Sequence, residues 1–308
     1  MLQQLKPEWN EKTNLLPEEK ISLLSTGKTM EHLFPFADEL SQGINISQFS
    51  LSHLIQPDLF LRIRPGYEKI VIQKLKTAGV SYQRVHHSCI ALPNATKIED
   101  VIELNKEAVV QDYSSQQVGE FLGLVRPGRS DRVWDCCAGS GGKSIMAFDL
   151  NPKIELTVSD VRESILVNLK KRFEKAGIRK YESLMLDLSD ENSQHSIFNN
   201  QQSIIIADVP CTGSGTWGRT PEQLCYFKRG KIEEYALLQR KIVSNALLQL
   251  KPGGHLLYIT CSAFKKENEE MVDFLKTKFE LQLIKMELLK GYDKKADTMF
   301  VALLQKQL

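Results

Sequence analysis

The chain has 308 residues, 42% hydrophobic and 25% charged, with a net charge of +2. That length accommodates one large domain and a smaller one, and the charge is too small to argue for a nucleic-acid partner by itself. No apolar run approaches the ~20 residues that cross a membrane, residues 1–20 carry no signal-peptide core, and six cysteines in a chain this long do not suggest a disulfide framework. The expectation is a cytoplasmic protein with no membrane segment.

Residues 1–57 read as a helical extension that breaks at Pro57, with apolar residues scattered over 33–40 and 44–55. Residues 58–110 read as a small α/β module: a strand over 59–63, a helix over 67–78 closed by Gly79, a strand over 88–92, and a short helix or strand over 98–104. From Gln111 onward, strands and helices alternate. A strand over 133–137 enters a glycine-rich turn and a helix from about 143. A strand over 154–159 ends at Asp160, and a helix over 163–176 is closed by Gly177. Strands over 183–186 and 204–207 end at Asp187 and Asp208. A helix over 232–250 presents Tyr235, Leu238, Ile242 and Ala246 on one face. Pro252, Gly253 and Gly254 turn into a strand over 255–260, followed by a helix over 267–278 and strands near 281–286 and 298–304. Such alternation predicts an α/β fold with a mainly parallel sheet covered on both faces. Sheets of this kind bind ligands at the carboxyl ends of their strands, where Asp160, Asp187, Asp208 and Cys261 fall.

The turn Cys137-Ala138-Gly139-Ser140-Gly141-Gly142-Lys143 lets backbone approach a ligand closely, and the helix after it offers free N–H groups. By itself such a loop suits a dinucleotide, a nucleotide or S-adenosylmethionine. The Walker spacing fails because position 137 is Cys, and the G-x-G-x-x-G spacing fails because position 144 is Ser. Asp160 suits a ribose diol, and Asp187 suits an adenine amino group; the plainer role of each is a helix N-cap.

Two cysteines sit at strand ends beside this loop: Cys211 in Asp208-Val209-Pro210-Cys211, and Cys261 in Thr260-Cys261-Ser262. A free cysteine is usually a buried structural thiol, but two in such positions suggest chemistry. The reaction that needs a thiol here is methylation of an unreactive pyrimidine carbon. Thiolate addition at carbon 6 of cytosine makes carbon 5 nucleophilic, and a second polar group assists the later loss of the carbon-5 proton. His86, His87 and Cys89 lack a second cluster to complete a metal site, so no metal is expected. Among the basic clusters, Lys170, Lys171, Arg172 and Lys175 read as a solvated helix face. Lys228, Arg229 and Lys231, and Lys265 and Lys266, flank the cysteine motifs and are the better candidates for phosphate contacts. Trp217 and Arg219 could stack on or grip RNA; Trp217 could equally be core.

At these residues the sequence resembles the Sun-type (Nol–Nop–Sun) family of RNA cytosine-5 methyltransferases, especially the bacterial small-subunit rRNA members. The likeness runs from about Leu59 to the C-terminus and includes Gln111-Asp112-Tyr113-Ser114-Ser115-Gln116, the glycine-rich loop, Asp160, Asp187 and both cysteine motifs. The resemblance implies a Rossmann-like class I methyltransferase domain over 111–308, with a seven-stranded sheet. In it Cys261 is the nucleophile, Cys211 promotes release, and Lys143 and Asp208 contact the cofactor end or the target base. S-adenosylmethionine is the implied cofactor: residues 137–143 hold its methionine part, Asp160 the ribose and Asp187 the adenine. Residues 58–110 become a small RNA-recognition-like module, and RNA the partner, with rRNA favoured over tRNA. One departure stands out, Ser140 where the family usually has proline. Only about 56 residues precede the likeness, where many bacterial relatives carry a helical RNA-binding domain. DNA cytosine-5 methylation through Cys211, and an RNA-binding assembly factor without catalysis, are the alternatives. The default oligomeric state is a monomer.

Overall fold

The computed structural model describes residues 33–125, 131–190 and 201–308, together with residues 19 and 198. Most of the expected helical extension therefore lies outside the described residues. What is described begins with a 3-10 turn at Ala37–Glu39 and helix α1 (Ile46–Ser52), whose N-terminus is capped by the Asn45 side chain.

Strand β1 (Leu59–Ile63), helix α2 (Glu68–Thr77), and strands β2 (Gln83–His86), β3 (Cys89–Leu92) and β4 (Ala108–Val110) follow. The four strands form an antiparallel sheet in the order β2-β3-β1-β4. One face packs Leu61, Ile63, Ile90 and Leu92 against Val71 and Leu75 of α2. Residues 98–104 form turns rather than the expected helix or strand. Strands β2 and β4 were not legible: β2 is exposed along its whole length, and β4 has only three residues.

The second sheet has seven strands. In chain order the elements are α3 (Tyr113–Val125), β5 (Arg132–Asp135), α4 (Gly142–Leu150), β6 (Glu155–Asp160), α5 (Glu163–Ala176), β7 (Glu182–Met185), β8 (Gln202–Asp208), α6 (Gly230–Leu247), β9 (Leu250–Thr260), α7 (Glu269–Phe279), β10 (Leu281–Leu289) and β11 (Met299–Lys306). The strand order is β10-β11-β9-β8-β5-β6-β7, with β5 to β9 parallel and β11 antiparallel to both of its neighbours, β9 and β10. One face buries Val118, Phe121, Ile145, Leu169 and Phe173 from α3, α4 and α5. The other buries Ile242, Val243, Ala246, Met271 and Leu275 from α6 and α7. This is the Rossmann-like arrangement expected, a mainly parallel sheet between two helical layers.

Three details differ from the reading of the sequence. Pro252, Gly253 and Gly254 lie inside β9, where the pairing with β8 shifts register. The buried face of α6 runs through Ile232, Ala236, Gln239 and Val243 as well as Ile242 and Ala246, with Tyr235 and Leu238 at its margin. Helix α7 starts at Glu269, leaving Glu267 and Asn268 as fully buried residues of the preceding loop. The two sheets are tied by Arg62 of β1 and Arg64 just after it, which both pair with Asp149 of α4 at 2.6 and 2.7 Å; all three side chains are nearly buried.

Candidate active site

After β5 the chain builds outward through β6 and β7, then returns to β8 on the other side of β5. The loops leaving β5 and β8 diverge there, opening a crevice at their carboxyl ends. A cavity of about 600 Å³ occupies it, lined by Cys136, Cys137, Ala138, Gly139, Asp160, Arg162, Leu186, Asp187, Asp208, Pro210, Cys211 and Cys261 among others. A second hollow of about 290 Å³ is lined by Gln111, Ser115, Ser140, Gly142, Lys143, Arg172, Asp208 and Cys261 among others. The two share Ala138, Asp208 and Cys261. A larger hollow of about 1000 Å³, lined by residues such as Arg132, Lys153, Glu155 and Tyr181, holds none of the cysteines and belongs to the opposite end of the sheet.

The glycine-rich loop is shaped by close packing. Gly141 has φ +84°, and a Cβ there would sit 2.6 Å from the Phe173 ring, so no side chain fits. Gly139 N–H donates to Asp160 Oδ2 at 3.0 Å. Arg162 donates to Asp160 Oδ1 from its backbone N–H and its Nε, each at 3.0 Å. Burial acts to raise the Asp160 carboxyl, but the Arg162 and backbone donors outweigh it and hold the group below its ordinary value. Asp187 lies two residues beyond β7, is exposed, and accepts from Ser189 N–H at 2.8 Å and Ser189 Oγ at 2.6 Å. Ser140, the departure from proline, is gripped by Arg172, whose Nη1 donates to Ser140 O at 2.8 Å and Ser140 Oγ at 2.5 Å. Arg172 belongs to the cluster expected to be a solvated face, and it instead fastens this loop to Asn105.

Lys143, one residue into α4, is buried and donates to Asp208 Oδ2 at 3.0 Å and Ser115 Oγ at 2.7 Å. Beneath it, Asp135 is fully buried with Ser144 Oγ donating to its Oδ2 at 2.6 Å; burial pushes its carboxyl up to about 7. No role for Asp135 or Ser115 was legible in the sequence, because their contacts depend on the loop geometry.

The Sγ atoms of Cys211 and Cys261 lie 3.1 Å apart. Contact with Cys261, burial and the nearby Glu267 charge all push the Cys211 thiol well up. Glu267 accepts from Thr212 N–H at 2.9 Å, Thr212 Oγ1 at 2.6 Å, Ser262 Oγ at 2.5 Å and Gln239 Nε2 at 3.0 Å. Its burial raises the carboxyl above the usual range, although these donors pull the other way. The Pro-Cys loop then runs under the β9 and β11 ends. Gly215 N–H donates to Cys261 O at 2.9 Å, and Thr298 N–H donates to Gly215 O at 2.8 Å. A Cβ on Gly215 would lie 1.9 Å from Thr298 O.

Several candidates do not face the crevice. Trp217 is core, 2% exposed, packed with Phe34, Phe36, Phe227 and Phe264. Arg219 is occupied by Asp112 at 2.9 Å and Asp297 at 2.8 Å. In the clusters flanking the cysteine motifs, Arg229 pairs with Asp38 and Glu39, Lys231 with Glu234 and Lys266 with Glu233, while Lys265 Nζ donates to Asp38 O. These acids offset much of the positive charge there. Cys89 is buried, its thiol pushed up to about 12 by burial, whereas His86 is exposed. Among the described residues no group of three His, Cys, Asp or Glu side chains is arranged to hold a metal, and no helix is long and apolar enough to cross a membrane.

Comparison with known proteins bears on this site. The family model described as 16S rRNA methyltransferase RsmB/F matches residues 123–305. The chain is 27% identical over 195 residues to ribosomal RNA small subunit methyltransferase B of Xanthomonas campestris, covering 61% of this chain and 44% of that protein. It is 32% identical over 169 residues to the protein of the same name from Shewanella oneidensis, covering 55% and 38%. It thus spans less than half the length of these two relatives. Among solved structures, PH0851 superposes with a TM-score of 0.77 at 25% identity, over 86% of this chain and 63% of that one. NSun6 from Pyrococcus horikoshii gives 0.73 at 15% identity, over 90% and 96%, which speaks to the fold alone.

Proposed function

Because the chain belongs to the 16S rRNA methyltransferase RsmB/F family, we propose that it methylates carbon 5 of a cytosine in small-subunit rRNA from S-adenosylmethionine. The observation that carries this reading is the pair of thiols 3.1 Å apart at the ends of adjacent strands, opening on the same cavity as the glycine-rich loop.

The residues present fit the cofactor. Cys137 to Lys143 would hold its methionine part against backbone that Gly141 keeps clear of side chains. Asp160, an ionised carboxylate at the second strand end, would take the ribose, and Asp187 the adenine. When bound, S-adenosylmethionine supplies the electrophilic methyl group that carbon 5 takes up. The second hollow, across Asp208 and Cys261, would receive the flipped-out base.

In the covalent reaction the Cys261 sulfur adds to carbon 6 of cytosine, forming a C–S bond and pushing electron density onto carbon 5. Cys211 keeps its proton, so its S–H can donate to the Cys261 sulfur across the 3.1 Å contact. After methylation the carbon-5 proton passes to water, the C5–H electron pair re-forms the C5–C6 double bond, and the Cys261 sulfur departs as a thiolate; Cys211 assists this release by donating its S–H to that leaving sulfur. Lys143 is held on Asp208, and the two would contact the cofactor end or the target base. The four-stranded sheet over 59–110 is proposed to be the RNA-recognising module, and the protein to act in the cytoplasm.

A methyl-transfer assay with labelled S-adenosylmethionine and RNA from a strain lacking the enzyme tests this directly. 5-Methylcytosine at one rRNA position is expected; label in DNA or tRNA alone would overturn the substrate. Cys261→Ala should lower transfer by more than about a thousandfold, in line with loss of a nucleophile, while sparing cofactor binding. Cys211→Ala should accumulate covalent protein–RNA; the opposite pattern would reverse the roles.

A further inference from the structure

Glu267 is fully buried between the two cysteine-bearing loops. Its Oε2 accepts from Ser262 Oγ at 2.5 Å and Thr212 Oγ1 at 2.6 Å, and its Oε1 accepts from Thr212 N–H at 2.9 Å and Gln239 Nε2 at 3.0 Å. Ser262 directly follows Cys261, and Thr212 directly follows Cys211. One carboxylate therefore grips the neighbour of each cysteine. The same Gln239 Nε2 also donates to Pro210 O at 3.0 Å, on the other side of Cys211. Tyr258 Oη lies 3.0 Å from Gln239 Oε1 and 2.6 Å from Glu267 O, closing the network onto β9. A buried carboxylate is costly unless its lone pairs are matched by donors, and here four donors converge on two oxygens. An apolar side chain would pack the same space without fixing the two loops to each other.

We propose that Glu267 is a positioning residue that yokes the loops of Cys211 and Cys261 and so sets the spacing of the two sulfurs for the covalent reaction. The proposal rests on the cytosine-5 reading above. It needs two readouts, one of which is independent of turnover.

The first readout is bridging of the two thiols by dibromobimane: each sulfur displaces one bromide, two C–S bonds form, and two bromide ions and two protons are released. Peptide mapping separates the Cys211–Cys261 bridge from any formed by the adjacent Cys136 and Cys137. The second is single-turnover and steady-state methyl transfer. Glu267→Ala should slow both the Cys211–Cys261 bridging and kcat by at least about tenfold, since misplacing reacting groups by about 1 Å costs on the order of 100-fold. KM for RNA and cofactor affinity should stay within about twofold, because uniform binding is untouched. Glu267→Gln should recover most of both, as an amide retains an oxygen for Thr212 N–H and Gln239. If Glu267→Ala fails to fold, Ser262→Ala decides the matter: it removes the bond from the carboxylate to the Cys261 loop, together with the Ser262 Oγ contacts to Thr212 Oγ1, Ser214 Oγ and Phe264 N–H in the same network; slowed bridging supports the yoke and unchanged bridging overturns it. Wild-type methyl transfer with bridging unaltered in a folded Glu267→Ala would overturn the yoke and leave the functional reading intact. Slowed bridging with a wild type that methylates no cytosine would support the yoke and sink that reading.

Discussion

The two sides of the crevice are built by different means. On the proposed cofactor side, the loops after β5, β6 and β7 take their shape from backbone geometry and from exposed or half-exposed donors: Gly139 N–H and Arg162 on Asp160, Arg172 on Ser140, Ser189 on Asp187. On the cysteine side, Ser214, Ser262, Glu267 and Asn268 are all fully buried. Both loops there lie under an aromatic cluster in which Phe34, Phe36 and Phe49 of the N-terminal segment cover Trp217 and Phe264. Backbone bonds from Ser41 N–H to Ala263 O and from Lys265 N–H to Glu39 O stitch that segment down. The difference suits the proposed division of labour. A cofactor that enters and leaves each turnover needs an open, forgiving cradle, whereas two sulfurs in contact need a scaffold that cannot shift.

The sharpest way to break this comparison is at Gly215. Its missing side chain is filled by the Thr298 carbonyl, and a Cβ would overlap that backbone at 1.9 Å. Gly215→Ala should destabilise the protein by about 3 kcal/mol or more, because backbone on both sides must move. A thermal melt within a degree of wild type would show that the cysteine side yields more easily than its packing implies.

A second prediction concerns pH and the floor beneath both sides. Asp135 is fully buried and its carboxyl is pushed up to about 7, against about 3.9 in an unfolded chain. The folded protein therefore binds a proton that the unfolded chain releases between about pH 4 and 7. Stability should fall as pH rises through that window and level off above it. Asp297, raised to about 7 by burial and by Asp112, acts in the same direction. Asp135→Asn keeps an oxygen for Ser144 and removes only its own share. Tm should then fall less across the window by about 3 °C or more, the scale of 1 kcal/mol in a domain this size. Parallel curves for the two proteins would mean that Asp135 does not take up the proton.

Legibility in the sequence followed the same divide. The positions of Asp160 and Asp208 at strand ends, and of Lys143 at the end of the glycine-rich turn, are readable from local pattern, whereas the roles given to Lys143 and Asp208 come from the family resemblance. Cys211 and Cys261 were readable as strand-end residues, but their 3.1 Å contact depends on β8 and β9 being neighbours. Glu267 read as the start of a helix, since sequence period cannot show that the helix begins two residues later and leaves this carboxylate inside. Trp217 reads from sequence as either core or an RNA contact, and it is core because Phe34 and Phe36, far earlier in the chain, pack against it. Arg172 looked like one more lysine-rich surface position, and nothing local could reveal its reach to Ser140, 32 residues away.

On the cofactor side the expected effects are smaller. Asp160→Asn keeps the shape but loses the charge that Arg162 and Gly139 organise, and should weaken S-adenosylmethionine binding by about tenfold, the cost of one charge-assisted hydrogen bond. Calorimetry reads this directly, and unchanged affinity would move the ribose contact elsewhere.

The mildest change is Ser140→Pro, which restores the residue usual in the Sun-type loop. A proline stiffens the unfolded chain and stabilises where the backbone already suits it, typically by less than about 1 kcal/mol. Here it also deletes the Ser140 Oγ acceptor, though the carbonyl of that residue remains for Arg172 at 2.8 Å. The two effects oppose each other, so Tm and cofactor affinity should both stay close to wild type. Pairing the change with Arg172→Ala separates them. If Arg172 substitutes for the missing ring, Arg172→Ala should lose cofactor affinity in the wild-type background and lose less when combined with Ser140→Pro. Equal losses in both would mean that Arg172 serves the loop through Asn105 or the Ser140 carbonyl, and that the hydroxyl contributes nothing to the cradle.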